Sequence, residues 1–393
     1  MKIGIVGPFD PQAVTEYLSS ESKLNVISIN RTASSINVLV KSLLDSGHKL
    51  VVITSDYNSY SDSLLSGEQI SIHIIGLKKR NSFLKYFFTI KKLESCISNE
   101  ISGIDVLHAQ WTYNYAYACG MVANRIPVAC TVRDWAPYIF SCESRLHIKF
   151  FLYLQMILSR KVLDNYHIHF IANSYYTKQR ILSLYPHYDI PIIFNSIEDS
   201  CILKNRDVYP TQFTFVSIAN SVGDKRKNFE QLFKAFSIVL TKYSDVKLIV
   251  IGDVKYDVLY KKWEKKRLLR NVEFMGLLNH DKLMKTLDNV SCLVHPSLEE
   301  TFGNILLEGM ARRIPIIAGK FSGAVPLVLK EGKCGCLCDV TDPISISEAM
   351  FKVIEDTIYV KSIVENATSV LLSEYASSIV AQNHIKFYES IMK

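Results

Sequence analysis

Short apolar runs that end in a turn and alternate with amphipathic helical segments constrain this chain more than any other feature. Lys2 to Val6 runs into Gly7-Pro8-Phe9-Asp10-Pro11, and Leu50 to Thr54 follows the helix stop Ser46-Gly47-His48. Val106-Leu107-His108, Val128 to Val132 and Ile168 to Ala172 repeat the pattern. Strands this short and this continuously apolar are buried on both faces, and strands separated by helices pair in parallel. The residues therefore predict an α/β fold with a doubly wound parallel sheet. A second series, Phe213 to Ala219, Lys247 to Ile251, Val272 to Met275, Cys292 to His295 and Ile314 to Ala318, predicts a second such sheet.

Between the two series, Ile190 to Glu198 leads into the polar stretch Asp199 to Pro210, which reads as a linker. A chain of 393 residues is too long for one compact core, and at 48% hydrophobic it is too apolar for disorder. Two domains, 1–198 and 199–373, fit that length. Ligands of open parallel sheets bind beyond the carboxyl ends of the strands, so two such domains facing each other would enclose a cleft. The last apolar stripe, residues 374–393, either finishes the second domain or crosses back to the first.

Several classes of protein are disfavoured. Gly and Pro are sparse and no period of 20 to 50 residues is visible, against collagen-like, low-complexity and solenoid chains. The first apolar run is too short for a signal peptide, so the expected location is the cytoplasm. The longest apolar window, Ile148 to Leu158, contains Lys149 and Gln155 and is bounded by Arg160 and Lys161, too short and too charged to span a bilayer. Nine scattered cysteines without a Cys-x-x-Cys pair indicate neither disulfides nor a metal site. Cys334, Cys336 and Cys338 alternate as small apolar residues on one face of a strand do.

The densest chemical signal is His295-Pro296-Ser297-Leu298-Glu299-Glu300-Thr301-Phe302-Gly303-Asn304-Ile305-Leu306-Leu307-Glu308-Gly309-Met310-Ala311. A strand ends, a helix starts near Gly303 or Asn304, and the first N–H groups of a helix attract anions. Glu300 lies just before that helix and Glu308 in its second turn. Carboxylates accept hydrogen bonds from hydroxyls, so the helix start suits a diphosphate and the glutamates suit the sugars on either side of it. The alternative is a capped helix with Glu308 an ordinary helical residue.

This stretch resembles the Glu-x7-Glu signature of family 4 retaining glycosyltransferases of the GT-B fold, with Thr301 and Gly309 replacing the usual Gly and Ala. Arg313 to Pro326 is similar to bacterial surface-polysaccharide members. The resemblance implies two Rossmann-like domains facing a cleft, the first on the acceptor side and the second binding a nucleotide-sugar donor. It implies that Glu308 contacts the ribose, Glu300 the donor sugar, and backbone from Phe302 through Gly303 and Asn304 to Ile305 the diphosphate. Lys227, in Gly223-Asp224-Lys225-Arg226-Lys227-Asn228-Phe229, looks like the family's catalytic Lys, which stabilises the departing diphosphate. The family's Arg has no counterpart near Asn220 and Ser221; Arg226 or Lys225 is expected to supply that charge, and a solvated basic turn is the alternative. Gly252 and Met275, at neighbouring strand ends, are expected to line the base pocket.

In the first half, Asp105 to Thr112 and Thr131 to Pro137 look like the family's His-x-His and Thr-x-His-Asp segments, with Gln110 and Arg133 where His is common. His108 and Arg133 are the catalytic candidates there, although a guanidinium cannot act as a base. Arg133 would bind an anionic group or form a structural ion pair; His108 would meet substrate or be a satisfied strand-end histidine. Asn173 to Thr177 and Phe194 to Glu198 also resemble family segments, or else cap turns and helices.

The expected activity is hexosyl transfer with retention, by same-face attack, from a nucleotide-diphosphate sugar to a glycan or lipid-linked oligosaccharide. No cofactor and no metal are expected, positive side chains and a helix start taking the place of a divalent ion. Lys78 to Lys92 interleaves basic and aromatic residues, which suits an anionic membrane surface or a surface helix whose aromatics face the core. Nucleic acid is not an expected partner, the net charge being only +7 and no recognition motif being present. A non-catalytic sugar-nucleotide binding protein is the alternative function; an oxidoreductase is disfavoured because the first loop lacks Gly-x-Gly-x-x-Gly.

Overall fold

The structure, a computed structural model, describes residues 1–29, 33–78, 82–143, 145–165, 167–206, 210–254 and 256–393, without the side chains of 82–87, 147, 256 and 257. Of the basic segment Lys78 to Lys92, residues 79–81 and the side chains of 82–87 thus lie outside the described residues, as do 207–209 of the linker. The chain forms two units, Met1–Glu198 with Ser377–Lys393, and Asp199–Ala376.

The first unit is built on β1 (Lys2–Val6), β2 (Lys49–Asp56), β3 (Ser63–Ser66), β4 (Ile70–Gly76), β5 (Val106–Gln110), β6 (Val128–Val132) and β7 (Ile168–Ala172), in the order β3-β4-β2-β1-β5-β6-β7. All pairs are parallel except β3 with β4. The period of two divides each strand between two cores: Ile3, Ile5, Leu50 and Val52 face one side, Val6, Val51 and Ile53 the other. On the first side lies the helix Ser34–Asp45, which buries Ile36, Leu39, Val40, Leu43 and Leu44. It stops at Gly47, whose φ of 80° is open to glycine at no steric cost. The helix Ser377–Ile391 adds Val380, Ala381 and Tyr388 to the same core. Strands β3 and β4 were not among the expected ones. The Ser-rich stretch before them reads as loop, and β3 is an exposed edge with only Leu65 buried.

The second unit has β8 (Thr214–Ser221), β9 (Lys247–Asp253), β10 (Val272–Gly276), β11 (Cys292–His295), β12 (Ile316–Gly319) and β13 (Cys336–Cys338), all parallel, in the order β10-β9-β8-β11-β12-β13. The helix Phe229–Lys242 covers one face with Phe229, Leu232, Phe233, Phe236 and Val239. Cys334, Cys336 and Cys338 are buried free thiols. Among the described residues no group of three or more His, Cys, Asp or Glu is placed to hold a metal. Sequential order reverses between β8 and β11, which makes their carboxyl ends the switch point of this sheet.

Candidate functional site

Three loops of the second unit leave the sheet at or beside that switch point and are tied together by backbone. The turn Lys225–Lys227 follows β8, and its Arg226 carbonyl accepts from Leu298 N at 2.8 Å, in the loop after β11. That loop is bound in turn to the one after β12, Glu300 O accepting from Ala324 N at 2.8 Å and Ser297 O from the Ser322 hydroxyl at 2.5 Å. Gly323 makes the close approach possible: its φ is 63°, and a Cβ there would sit 2.4 Å from Glu300 O.

This frame brings Lys227 and Glu300 together. Lys227 Nζ lies 2.5 Å from Glu300 Oε1, and His295 Nε2, from the end of β11, lies 3.1 Å from the same oxygen. Burial by itself raises the Glu300 carboxyl, but the Lys227 charge and the His295 hydrogen bond outweigh it and hold the group well below the usual carboxylate range. Glu300 is therefore ionised at any working pH and retains acceptor capacity for hydroxyl groups. Lys227 is a cation on a flexible stem, able to exchange its carboxylate for a phosphate.

Beside the pair starts the helix Asn304–Ala311. Gly303 precedes it in left-handed conformation, φ 88°, and offers no capping side chain. Gly303, Asn304, Ile305 and Glu308 are all partly accessible. Glu308 lies 3.6 Å from His280, at the start of the helix His280–Leu287. Both departures from the family pattern have local causes. Thr301 does not have a positive φ, so glycine is not required. At Gly309 even a Cβ would meet Leu293 and Ile316 at 3.0 and 3.1 Å, because the helix lies close on β11 and β12.

One donor-site expectation needs adjustment. Arg226 does not present its guanidinium as a second free charge: it is bonded to Asp224, Nη2 to Oδ2 at 2.6 Å. Burial raises the Asp224 carboxyl, and the bonds from Arg226 more than reverse that. The Phe302 side chain is core, buried edge-to-face on Tyr375 at 5.8 Å, so only its backbone is at the helix start. Gly252 is demanded by packing, since a Cβ would fall 1.9 Å from Ala219 O at a φ of 147°. Met275 sits at the irregular end of β10 and is partly exposed. His295 and His280 were not assigned roles from sequence. Each is a single histidine whose partner is set by tertiary folding, and only the place of His295 at a strand end hinted at it.

In the first unit, His108 and Arg133 belong to an interior network. His108 is fully buried in the middle of β5, with Nδ1 2.7 Å from the Tyr388 hydroxyl and Nε2 2.7 Å from Thr131 Oγ1. This corrects its expected place at an open strand end. Arg133 is likewise buried, its Nε donating to Gln110 Oε1 at 2.7 Å and Nη1 to Asn195 Oδ1 at 2.5 Å and Ser35 Oγ at 3.1 Å. The two residues that depart from the family's histidines thus bond to each other. Burial, reinforced by His384 and Arg133, keeps His108 neutral; burial lowers Arg133 to about 10. Asp134, the next residue, accepts from the Tyr113 hydroxyl at 2.8 Å. Ser174 caps the helix Tyr175–Leu182 through Thr177 N, and Asn173 accepts from the Thr177 hydroxyl.

Residues 33–200 match the family described as Glycosyltransferase Family 4, and residues 205–370 match Glycosyl transferases group 1. A capsular polysaccharide biosynthesis glycosyltransferase of Staphylococcus aureus is 25% identical over 169 residues, 43% of this chain and 44% of the relative. An N-acetyl-alpha-D-glucosaminyl L-malate synthase of Bacillus anthracis is 24% identical over 216 residues, 53% of this chain and 55% of the relative. The chain thus spans about half the length of these curated relatives. A sucrose-phosphate synthase from Thermosynechococcus elongatus superposes with a TM-score of 0.79 at 14% identity, covering 100% of this chain and 99% of the other, a likeness of fold.

Proposed function

From the premise that the chain belongs to the GT-B glycosyltransferases of family 4, both halves matching glycosyltransferase families, we propose that it is a retaining hexosyltransferase. It takes a sugar from a nucleotide-diphosphate sugar to a glycan or lipid-linked oligosaccharide in surface-polysaccharide synthesis. The observation that carries this reading is the Lys227–Glu300 pair, 2.5 Å apart beside the Gly303 helix start at the switch point of the second sheet. The capsular polysaccharide relative supports the surface-polysaccharide setting.

In this mechanism the helix start at Gly303 and Asn304 receives the diphosphate, and Lys227 moves from Glu300 to the phosphate as the glycosidic bond lengthens. Glu300, freed from that ion pair and still oriented by His295, accepts hydrogen bonds from the sugar hydroxyls while the ring gains oxocarbenium character. Glu308 grips the ribose. The acceptor hydroxyl attacks on the face the diphosphate leaves, and the leaving phosphate takes its proton, which gives retention without an enzymic nucleophile. Charge on the diphosphate is met by Lys227 and the helix rather than by a divalent ion. Adhesion of the Lys78 to Lys92 segment to an anionic membrane would bring the enzyme to a lipid-linked acceptor.

The test is a melting screen against UDP, GDP and ADP sugars, followed by release of nucleoside diphosphate and the anomeric configuration of the product by NMR. A donor that raises the melting temperature and yields a product of unchanged configuration is expected. If no nucleotide sugar binds or turns over, or if the configuration inverts, the reading is wrong.

A further inference from the structure

The helix Leu146–Leu163 in the first unit carries an apolar stripe on its outer side. Its inner side is held by the buried Ser159, Val162 and Leu163, yet Leu146, Phe150, Tyr153 and Ile157 are 83%, 51%, 47% and 36% exposed. Spaced by four, three and four residues, these side chains share about 60° of arc at about 100° per residue, opposite the buried side. Lys149 and Arg160 border the stripe on one edge and Lys161 on the other, and the helix contains no Asp or Glu. Lys149 is held there, its Nζ 5.0 Å from the Phe140 ring, which lies 6.2 Å from Tyr153. Single exposed apolar residues are ordinary; a continuous stripe with cations on both edges marks an interaction surface.

We propose that this helix docks on an anionic lipid surface, lying in the plane of the interface. Leu146, Phe150, Tyr153 and Ile157 enter the acyl boundary, while Lys149, Arg160 and Lys161 extend to the headgroups. Charge decides between this occupant and a second copy of the chain. The spacing would suit a coiled coil, but a second copy brings the same three cations and no carboxylate from the helix itself, Asp164 at its C-terminal end being engaged by the Tyr185 hydroxyl, so like charges would meet. Anionic headgroups neutralise all three. Among the described residues no helix is long and apolar enough to cross a membrane. At about 1.5 Å per residue, this one lies along roughly 27 Å of surface. The surface is distinct from Lys78 to Lys92, and none of its residues belongs to the Lys227–Glu300 site.

The test floats the full chain with phosphatidylcholine vesicles, with and without phosphatidylglycerol. The parent binds the anionic vesicles more tightly. Lys149→Gln, Arg160→Gln and Lys161→Gln together weaken binding by about fivefold per charge, most at low salt. Phe150→Ser with Ile157→Ser weakens it by about tenfold or more at every salt concentration. Tyr153→Trp shifts its emission to the blue and is quenched by brominated lipid. All the altered side chains are accessible, and melting of each variant checks the fold. Absence of parent binding, or parent-like binding by both multiple variants, overturns the proposal. So does a parent dimer in sedimentation that Phe150→Ser with Ile157→Ser dissociates, which would assign the stripe to a second copy. Nucleotide-sugar affinity, measured on the same variants without vesicles, separates failure of docking from failure of the donor-site reading.

Discussion

Both units gather polar side chains on or just beyond parallel strands, and the two clusters end up opposite in character. In the first, His108, Gln110, Thr131, Arg133, Asn195 and Tyr388 bond to one another in the interior. In the second, Lys227 and His295 meet on one carboxylate oxygen of Glu300 in a frame of loops, where Lys227 and Glu300 keep partial access to solvent. Polar residues at strand ends are therefore not in themselves a site. What separates a site from a strut is valency left over after folding, together with access to it.

The largest expected difference between the clusters appears in acid. His108 and His384 are held neutral by burial, His384 down to about 3, whereas the unfolded chain protonates them near the ordinary histidine value of about 6.5. The unfolded state then binds more protons, so the first unit loses stability as pH falls below about 6.5, by about 1.4 kcal/mol per pH unit for each histidine. The depressed Glu300 carboxyl contributes stability that is full above its unfolded value of about 4.3 and is lost only as pH falls further, through the folded value. Calorimetry between pH 7 and pH 4 should show the first unit melting progressively earlier while the second holds. Equal shifts would erase the distinction.

Glu300→Gln comes next. It should lower single-turnover transfer by about a hundredfold and nucleoside diphosphate affinity much less, as expected of a charged hydrogen bond worth about 1.5–3 kcal/mol at the transition state. Normal transfer by a folded Glu300→Gln would place the pair among the struts.

Tyr388→Phe probes the other side of the comparison. It removes the hydroxyl from His108 Nδ1 and should cost about 1–3 kcal/mol of stability, or roughly 2–4 °C of melting temperature per kcal/mol. Turnover per folded molecule should stay within about twofold of the parent. A collapse of turnover at unchanged melting temperature would make the network catalytic after all. The smallest effect belongs to Glu308→Gln: roughly tenfold weaker nucleotide binding, with the rate at saturating donor preserved. Tight nucleotide binding by that variant would remove Glu308 from the ribose.

The sheets were legible because buried parallel strands leave continuous apolar runs such as Leu50 to Thr54, bounded by helix stops. The alternation of Ile70, Ile72 and Ile74 is also a strand pattern, but it lies beyond a Ser-rich stretch that hid β3 and β4. Lys227 and Glu300 stood out through motif and placement. Which of Lys225, Arg226 and Lys227 reaches Glu300 is set by the turn, where Asp224 claims Arg226, and three adjacent charges do not reveal that. The fate of His108 was least legible, because the hydroxyl that satisfies it lies 280 residues further along the chain.

That separation has a consequence for biosynthesis. The second unit is continuous, Asp199–Ala376, and emerges from the ribosome with everything its sheet requires. The first unit emerges earlier but lacks Val380, Ala381 and Tyr388 until Ser377–Ile391 follows. The usual vectorial order is thus inverted: the half translated first is completed last, and meanwhile its Ile3 and Ile5 face of the sheet stays partly uncovered to chaperones. A premature stop just before Ser377 would spare the second unit and leave the first one unfinished.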